Sequence, residues 1–381
     1  ASSGEDGRVY ENPGGIVIGD LEDFSASEGK AYLLFEEEQP VYSGTRHLKN
    51  SWIEAGYPGI DDVLSYGTTS ARSSARACNR YVAGDVTTIP ASGGSVDVYV
   101  AKATNTAAFL VESGYSVSST VLNNWAQDWD QTVYPIATNY FGKNYGNSIP
   151  EPPDVDGNCQ IEIAIIDIDG AYNTGGYFAP SLAPFREAIF VDIADAPLSW
   201  SKVILAHELQ HLLHNAADPL ENLWIDEGNA DMAAFLCFGS TSTLTGHSNA
   251  WTSESYHSVR WWNQRIADYG AGFLFMLYLA DHLGGGAAIR SLVTDQSTGA
   301  TGIENLARTP PSGTGGVIGT NFRDIYANFT IAAALDSSQS IYGLSNIDMV
   351  DLCTGNAFCR IQAAETNDEW ATPWSSAGHL I

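Results

Sequence analysis

Basic residues are scarce in this sequence of 381 residues. Its 17 lysines and arginines stand against 45 aspartates and glutamates, so the formal net charge is −28. A negative field of this strength repels phosphate backbones and anionic lipid surfaces, which argues against nucleic acids and membranes as partners. Disorder is excluded too, because 44% of the residues are hydrophobic and only 16% are charged. We therefore expect a folded acidic protein that favours basic partners or divalent cations. Adaptation to high salt is a second explanation of the charge.

Long hydrophobic runs are also missing. No segment reaches the roughly 18 apolar residues that a membrane-spanning helix needs, so no span is predicted. The sequence opens at Ala1 with polar residues and without a signal peptide, which predicts a mature or trimmed product. The 37 glycines, 10 tryptophans and 18 tyrosines are typical of secreted proteins with short turns. We expect a secreted, extracellular monomer.

Only five cysteines are present, so at least one stays unpaired if disulfides form. Cys353 and Cys359 are the best predicted pair, because they enclose a short loop rich in turn residues. Cys78 and Cys159 would then form a second bridge. Cys237 lies in an apolar stretch and is the expected free thiol, where it would act as a small hydrophobic residue.

The distribution of turn residues and hydrophobic periods predicts two domains. Residues 1–90 are turn-rich with short β-leaning runs, and we expect a β-rich N-terminal module there. Residues 91–381 are predicted to form a larger domain, with an upper α/β part at 91–216 and a lower, mainly helical part at 217–381. The periodicity within this domain predicts strands near 96–100, 161–168 and 187–193, and helices near 118–140, 200–215, 222–238, 268–283 and 321–335.

The most informative segment is an H-E-x-x-H motif at His207, Glu208 and His211, in an apolar run that favours a helix. Residues i and i+4 share one face of a helix, so both imidazoles can bind one metal ion while Glu208 lies beside them. Catalytic zinc needs three protein ligands and an open position, so a third ligand must come from elsewhere. The extended motif H-E-x-x-H-x-x-G-x-x-H is absent, because His214 occupies its glycine position and Ala217 its last histidine.

The third ligand is predicted on a second helix. The segment W-I-D-E-G supplies Glu227, 16 positions beyond His211, and Glu221 is the alternative ligand. Asp231 follows Glu227 by one helical turn, where its carboxylate could hold the outer N–H of a zinc-bound histidine. His214 is predicted to be a structural histidine.

With these segments the sequence resembles the gluzincin metallopeptidases, in which a glutamate ligand on the next helix follows H-E-x-x-H. The W-x-D-E-G form and the Y-x-x-G segment at Tyr269 are similar to those of the zinc aminopeptidase branch. In that branch the tyrosine stabilises the oxyanion, so the resemblance implies this role for Tyr269. His257 is the rival donor. The G-x-M-E-N loop with which the branch recognises a free amine does not occur in this sequence, which favours an endopeptidase.

The overall likeness is to the hyicolysin family of secreted bacterial metallopeptidases, and it covers residues 95–335. The family's segments appear here in the same order: D-x-D-G-N from Asp154, G-G-Y-F from Gly175, H-E-x-Q-H from His207, E-G at Glu227 and Y-G at Tyr269. This resemblance implies an α+β, zincin-like (thermolysin-like) domain. Its active-site helix would lie under a mixed sheet, and its C-terminal half would be mainly helical.

The resemblance also implies a function. We expect a secreted zinc-dependent endopeptidase with one Zn²⁺ held by His207, His211 and Glu227, and with a protein or peptide as its substrate. Glu208 would act as general base and then general acid. The alternatives are a zinc aminopeptidase, an inactive zincin-scaffold adhesin and a structural calcium-binding surface protein. The intact Glu208 argues against the inactive scaffold.

The acidic turn at Asp154, Asp156 and Asn158 has the alternation that calcium loops use. Its twelfth position is Ile165, where an EF-hand needs a bidentate glutamate, so a full EF-hand is excluded. A simpler Ca²⁺ site completed by distant acids is the hypothesis that this turn suggests, and a plain acidic turn is the alternative.

The glycine-rich segment Gly175, Gly176 and Tyr177 could form an exposed strand edge. An extended peptide often binds by adding a strand to such an edge, so this segment is the predicted substrate edge. A plain glycine turn is the alternative.

Overall fold

The computed structural model describes residues 42–56, 78–337 and 340–347, apart from gaps at 92–93, 146–149, 170–173, 197–200, 255–258, 261, 263–264 and 346. The predicted pair Cys353 and Cys359 and the rival donor His257 lie outside the described residues. The chain divides into two compact units. The sheet unit comprises the described residues of Val41–Thr241 and Ile289–Thr298, and the helical unit comprises those of Ser242–Ala288 and from Gly299 onward. This division differs from the predicted boundaries at residues 90 and 216.

A mixed sheet forms the centre of the sheet unit. Its strands are β1 (Tyr42–Ser43), β2 (Val86–Ala91), β3 (Gly94–Ala103), β4 (Ala107–Glu112), β5 (Ile161–Ile166), β6 (Thr174–Phe178) and β7 (Ala188–Asp192). They lie in the order β1-β6-β7-β5-β4-β3-β2. The strands β4, β5 and β7 run parallel to one another, whereas β2, β3 and β4 form antiparallel pairs and β6 is antiparallel to β7.

The strand sequences agree with these positions. All residues of β5 and β7 are buried, as expected for apolar strands in the parallel centre of a sheet that is covered on both faces. In β3, Val98 and Val100 are buried and Asp97 is exposed, which is the alternation of a half-buried strand. The three strands predicted from the periodicity are therefore confirmed. The α+β class is confirmed as well.

The helices of the sheet unit are α1 (Thr45–Glu54), α2 (Ser119–Asp128), α3 (Tyr134–Phe141), α4 (Lys202–Ala217) and α5 (Leu223–Phe238). A π-helical turn at Trp129–Val133 joins α2 to α3. The helix α4 passes close beneath β6, because Gly176 has no side chain. A Cβ atom at Gly176 would lie 2.5 Å from Ile204 Cγ2 of α4 and 2.6 Å from the Phe190 carbonyl oxygen of β7.

The β-rich N-terminal module is not confirmed. Residues 45–54 form the helix α1, which belongs to the sheet unit. The sequence favours this helix because Thr45, Lys49 and Trp52 fall on one helical face, and all three are buried. Residues 1–41 and 57–77, which carry most of the predicted module, lie outside the described residues.

The helical unit contains α6 (Ser242–Ser253), α7 (Ile266–Leu283), α9 (Ala300–Arg308) and α10 (Phe322–Leu335), and α8 (Gly286–Thr294) has residues in both units. An aromatic cluster joins α7 to α10, where the ring of Phe275 packs against Phe322, Tyr326 and Phe329. The helices predicted near 268–283 and 321–335 are confirmed. No single helix in the described part of the chain is long and apolar enough to cross a membrane, although α7 and α8 reach that length when counted together.

The predicted disulfide between Cys78 and Cys159 is present and joins residues 81 positions apart. Cys237 has a free thiol, as predicted, and burial raises its pKa to about 12. The cysteine pattern is therefore confirmed as far as the described residues extend.

Candidate metal centre

The three predicted ligands converge where α4 and α5 meet. His207 and His211 lie one turn apart on α4, and Glu227 lies one turn into α5. One ligand atom from each lies within 4.8 Å of the other two, and all three side chains are buried. The i and i+4 spacing places both imidazoles on one face of α4, and the short connection from Ala217 to Leu223 returns the chain so that α5 meets this face.

The ε nitrogens of both imidazoles point at the same carboxylate oxygen. His207 Nε2 lies 3.2 Å from Glu227 Oε2, and His211 Nε2 lies 3.4 Å from it. The two rings are nearly perpendicular, with centroids 4.9 Å apart. Two nitrogens and one carboxylate are therefore directed at one point, as in a site that holds one metal ion.

The δ nitrogens face two further carboxylates. His207 Nδ1 lies 3.0 Å from Asp231 Oδ1, and His211 Nδ1 lies 3.2 Å from Asp226 Oδ1. A carboxylate at the outer nitrogen holds a metal-binding histidine in the tautomer that leaves Nε2 available. Asp231 was predicted in this role. The matching role of Asp226 was missed, and its only signal in the sequence is a second acid directly before Glu227.

Unsatisfied buried atoms test whether a metal fits here. His211 Nε2 and Glu227 Oε1 are buried and make no hydrogen bond to any described residue. Buried polar atoms without a partner are rare in folded proteins and need an explanation, such as a bound ion. Two imidazoles and one carboxylate are a common ligand set of catalytic zinc. The residues present therefore fit a zinc ion.

The ionisable groups of the cluster shift one another's pKa values. Burial lowers the pKa of His207, but its hydrogen bonds to Asp231 and Glu227 outweigh burial and hold the pKa well above its ordinary value. Burial also lowers the pKa of His211, and the charges of Asp226 and Glu227 reverse this and raise it to about 9. Burial raises the pKa of Glu227, but the two histidines lower it overall. The carboxylates thus stay ionised in a buried site.

Glu208 lies beside the three candidate ligands and is only 1% exposed. Burial raises its pKa, and the opposing effect of His207 and His211 leaves a net increase. The Thr45 hydroxyl of α1 donates a hydrogen bond of 2.7 Å to Glu208 Oε2. The side chain is therefore held in one place and is suited to taking up and releasing a proton.

A buried ion pair connects α1 to the same cluster. Lys49 Nζ lies 2.5 Å from Asp226 Oδ2, and both side chains are 4% exposed. Burial raises the pKa of Asp226, but Lys49 and His211 hold it well below its usual value. Asp226 is therefore ionised and links α1, α4 and α5. Sequence patterns did not predict Lys49 or Thr45 here, because each is more than 150 positions from its partner.

The predicted substrate edge lies on β6, next to α4. A Cβ atom at Gly176 would lie 3.4 Å from Glu208 Cγ, so this strand passes directly beside the predicted general base. Tyr177 points into the core, where its ring stacks on Phe190 with centroids 4.4 Å apart. The outer side of β6 pairs with β1, which runs parallel to it. The binding role of this edge stays a prediction.

The other predicted residues are not among the three candidate ligands, although His214 Nδ1 lies 3.0 Å from Asp226 Oδ1. Glu221, the alternative ligand, accepts a hydrogen bond of 2.6 Å from the backbone N–H of Asn222. His214 is buried, and its Nδ1 lies 3.0 Å from Gln210 Nε2, as a structural histidine would. Tyr269 belongs to the helical unit, where it is buried between His247 and Trp262 with ring centroids 5.0 and 4.9 Å away. Its role at the oxyanion stays a prediction.

The predicted calcium turn forms part of a second acidic cluster. Ligand atoms of Asp154, Asp156 and Glu187 lie within 4.8 Å of one another. The amide oxygen of Asn158, the third predicted ligand, accepts a hydrogen bond of 2.6 Å from the Gln160 N–H. Glu187 was not predicted, because it stands 31 positions beyond Asp156 in the sequence.

No protein-family model matches this chain, and a comparison with curated proteins finds no match either. The functional argument therefore depends on the geometry of the chain itself.

Proposed function

We propose that this chain is a secreted zinc-dependent endopeptidase. The observation that carries the proposal is the meeting of two imidazole ε nitrogens and Glu227 in a buried cluster whose outer nitrogens face Asp226 and Asp231. Extracellular location is supported by the Cys78–Cys159 disulfide, since disulfides persist mainly in oxidising compartments.

His207, His211 and Glu227 would hold the ion. Zinc bound there would polarise a carbonyl group and lower the pKa of water toward about 7. Glu208 would take a proton from the attacking water and then deliver it to the leaving amine. Burial raises the pKa of Glu208, which makes its carboxylate a stronger base than an ordinary glutamate and supports the first of these transfers.

The role of Asp226 and Asp231 would be to position the ligands. Each carboxylate fixes the orientation of one imidazole, so neither ring has to reorient during the reaction. Lys49 compensates the charge of Asp226, which limits the penalty of burying these acidic and basic groups together.

Two features favour an endopeptidase over the aminopeptidase alternative. The sequence has no G-x-M-E-N loop to recognise a free amine. The strand β6 lies beside Glu208 and offers backbone groups that could hold an extended substrate on both sides of the cleaved bond.

The direct test compares zinc-loaded wild type with Glu208→Gln on casein, with zinc content measured on both. We expect the variant to keep about one zinc per chain and to lose a factor of about 10²–10⁴ in rate, the usual contribution of a general base. Glu112→Gln, a half-buried acid of β4, is the matched control and should cleave as wild type does. Unchanged proteolysis in Glu208→Gln would refute the mechanism.

A second assay separates the alternatives. An endopeptidase should cleave peptides with a blocked amino terminus and peptides with a free amine at similar rates. An aminopeptidase should cleave only the peptides with a free amine. If wild type binds zinc and cleaves neither substrate, the inactive adhesin becomes the better hypothesis.

A further inference from the structure

The second acidic cluster is assembled by the sheet. Glu187 directly precedes β7, and the turn from Asp154 to Cys159 precedes β5. Because β5 and β7 are parallel neighbours, both strands begin at the same end of the sheet. The Glu162 N–H donates a hydrogen bond of 2.8 Å to the Glu187 carbonyl. This pairing brings Glu187 beside the acidic turn.

The carboxylates of this cluster are held in place by the backbone. Both oxygens of Asp156 accept hydrogen bonds from Asn158, from its backbone N–H at 2.9 Å and its side-chain amide at 2.8 Å. Asp154 Oδ1 accepts from the Cys159 N–H at 3.0 Å, and the disulfide to Cys78 anchors that end of the turn. Glu187 Oε1 accepts from the Val155 N–H. Three acids are thus fixed close together despite their like charges.

One buried oxygen of Glu187 lacks a hydrogen-bond partner among the described residues, which indicates a site for a cation. Glu187 is only 3% exposed, and its Oε2 has no hydrogen-bond partner among the described residues. Burial, together with Asp156 and Asp154, raises the pKa of Glu187 to about 8. The neighbouring cation, Arg186, is engaged by Glu162 through contacts of 2.7 and 2.8 Å. A buried and unpaired carboxylate oxygen among acids is costly unless a cation binds it.

We propose that Asp154, Asp156 and Glu187 bind a calcium ion. Calcium takes oxygen ligands at about 2.3 to 2.6 Å, so two ligands of one ion lie at most about 5 Å apart, as these do. The absence of nitrogen and sulfur from the set disfavours zinc. In this site Asn158 orients Asp156, and Glu187 is the distant acid that completes the turn.

Calcium binding is tested on the zinc-saturated full chain with calcium chloride as the probe. We expect calcium to raise the melting temperature of wild type and to bind at one site by calorimetry. Glu187→Gln should bind at least about tenfold more weakly, because affinity depends on the number of charged ligands. Asp167→Asn, which changes an exposed acid just beyond the opposite end of β5, is the control and should bind as wild type does.

The variants also report on folding. Without calcium at pH 7, Glu187→Gln should be about as stable as wild type, because a pKa of about 8 leaves Glu187 mostly protonated and uncharged. With calcium, wild type should be the more stable. Asp156→Asn, which alters an exposed ligand, provides a second test. The site is refuted if calcium has no effect on wild type, or the same effect on wild type and Glu187→Gln.

A second and independent observation concerns residues 42–54, which we call the strap. Register pairs of β1 with β6 join Tyr42 to Thr174 and Ser43 to Gly176, and the Gly44 N–H donates to the Gly176 carbonyl over 2.8 Å. The strap therefore uses the backbone groups of β6 beside Glu208. A peptide that added to this edge would need the same groups.

The strap also engages the general base. Thr45 Oγ1 donates to Glu208 Oε2 and accepts from the Phe178 N–H over 2.6 Å, so one hydroxyl ties Glu208 to β6. The ion pair between Lys49 and Asp226 holds α1 in position. The strand β1 has only two residues, and its register with β6 is irregular. The pairing is therefore short enough to be displaced without unfolding the sheet.

From these contacts we infer that the strap is an autoinhibitory segment, a conclusion that rests on the proposed peptidase function. It occupies the substrate edge and holds Glu208 in a hydrogen bond, whereas the candidate zinc ligands His207, His211 and Glu227 lie on α4 and α5. Substrate would bind after Gly44 and Thr45 withdraw from β6. Because the strap is part of the same chain, it competes at a high effective concentration.

The test uses zinc-loaded full chains and a blocked peptide substrate. Gly44→Pro removes the N–H donor at a φ of −77°, which proline tolerates. We expect its rate to rise about fivefold, the usual effect of losing one hydrogen bond. Thr45→Val should act in the same direction. Ser51→Ala, on the exposed face of α1, should not change the rate. If wild type is active and Gly44→Pro cleaves at an equal or lower rate, the strap does not inhibit the enzyme.

A separate measurement distinguishes failure of the strap from failure of the peptidase proposal. Absence of cleavage by wild type and by every variant, with zinc bound, refutes the peptidase proposal. Hydrogen exchange of the Gly44 and Thr45 amides then tests whether a ligand at the site displaces the strap. A peptide hydroxamate that binds the zinc should accelerate this exchange if it displaces the strap, and unchanged exchange with the hydroxamate bound would refute it.

Discussion

The cluster proposed to bind zinc (His207, His211 and Glu227, the zinc cluster) and the cluster proposed to bind calcium (Asp154, Asp156 and Glu187, the calcium cluster) lie in the same unit. Each uses three side chains, but they are built differently. The first lies on two consecutive helices. The second joins a turn to the start of β7, and the strands β5 and β6 lie between them in sequence. Helix periodicity brings the first set together, whereas only strand pairing brings the second together.

The surroundings of the two clusters differ as well. Further carboxylates and a lysine surround the imidazoles of the zinc cluster, so its charges are largely compensated before any metal binds. The calcium cluster consists of three acids, and the neighbouring Arg186 forms its ion pair with Glu162 instead. The comparison teaches that the first cluster can fold without its metal, whereas the second should depend on its ion for stability.

The largest expected effect is the loss of zinc from His211→Ala. Removing one of three ligands should reduce the zinc content from about one per chain to nearly none. The calcium response should be unchanged if the clusters are independent. His214→Gln, on the same helix and next to the same Asp226, is the control that should keep its zinc. Zinc analysis and calcium-dependent melting measure both responses, and joint loss would contradict independent clusters.

The next effect concerns the disulfide beside the calcium cluster. The double variant Cys78→Ser and Cys159→Ser opens a loop of 81 positions and should lower the free energy of unfolding by about 4 kcal/mol. Calcium affinity should fall and zinc affinity should not, because only the acidic turn contains Cys159. Urea unfolding and calorimetry are the measurements. Equal losses of both metals would show that the bridge acts on the whole unit.

Asp231→Asn tests how far the carboxylates around the imidazoles matter. Loss of this partner of His207 should weaken zinc about 10- to 100-fold, the usual effect of removing such a carboxylate. Competition with a chromophoric chelator measures the affinity. Asp167→Asn is the control, since it is exposed and lies outside both clusters. An unchanged zinc affinity in Asp231→Asn would mean that the orientation of His207 is set by packing alone.

The smallest effect comes from Asp195, a buried carboxylate outside both clusters. Neither of its oxygens has a hydrogen-bond partner among the described residues, and burial, with Asp192 and Asp169, raises its pKa to about 6. This exceeds the ordinary value of 3.8, so the folded chain binds more protons and loses stability as the pH rises between these values. The penalty at pH 7 is on the order of 2 kcal/mol.

Asp195→Asn removes that titration and serves as a reference for an acid with no cation. We expect the variant to gain stability relative to wild type between pH 4 and pH 7 by about that amount. Urea unfolding at both pH values measures the difference. If the difference in free energy of unfolding between Asp195→Asn and wild type is the same at both pH values, ionised Asp195 does not destabilise the fold. The argument from the burial of Glu187 is then weakened too.

Much of the fold could be predicted from the sequence. The strands β3, β5 and β7 and the helices α4, α5, α7 and α10 follow hydrophobic periods that can be recognised locally. The helix α1 could not, because its face of Thr45, Lys49 and Trp52 contains two polar residues that are buried only through distant partners. The pairing of β1 with β6 also escaped prediction, since a two-residue strand has no measurable alternation.

The sequence by itself determined which side chains form the candidate metal site. His207 and His211 share a helical face through their spacing of four, and Glu227 and Asp231 do the same on the next helix, so short-range geometry already fixes their directions. Only the tertiary structure decided the partners of these residues. Lys49, Thr45 and Glu187 reach their positions through strand order and helix packing, which depend on contacts between residues 31 to 177 positions apart. A sequence pattern carries no record of such contacts, because burial and pairing arise only when the whole unit folds.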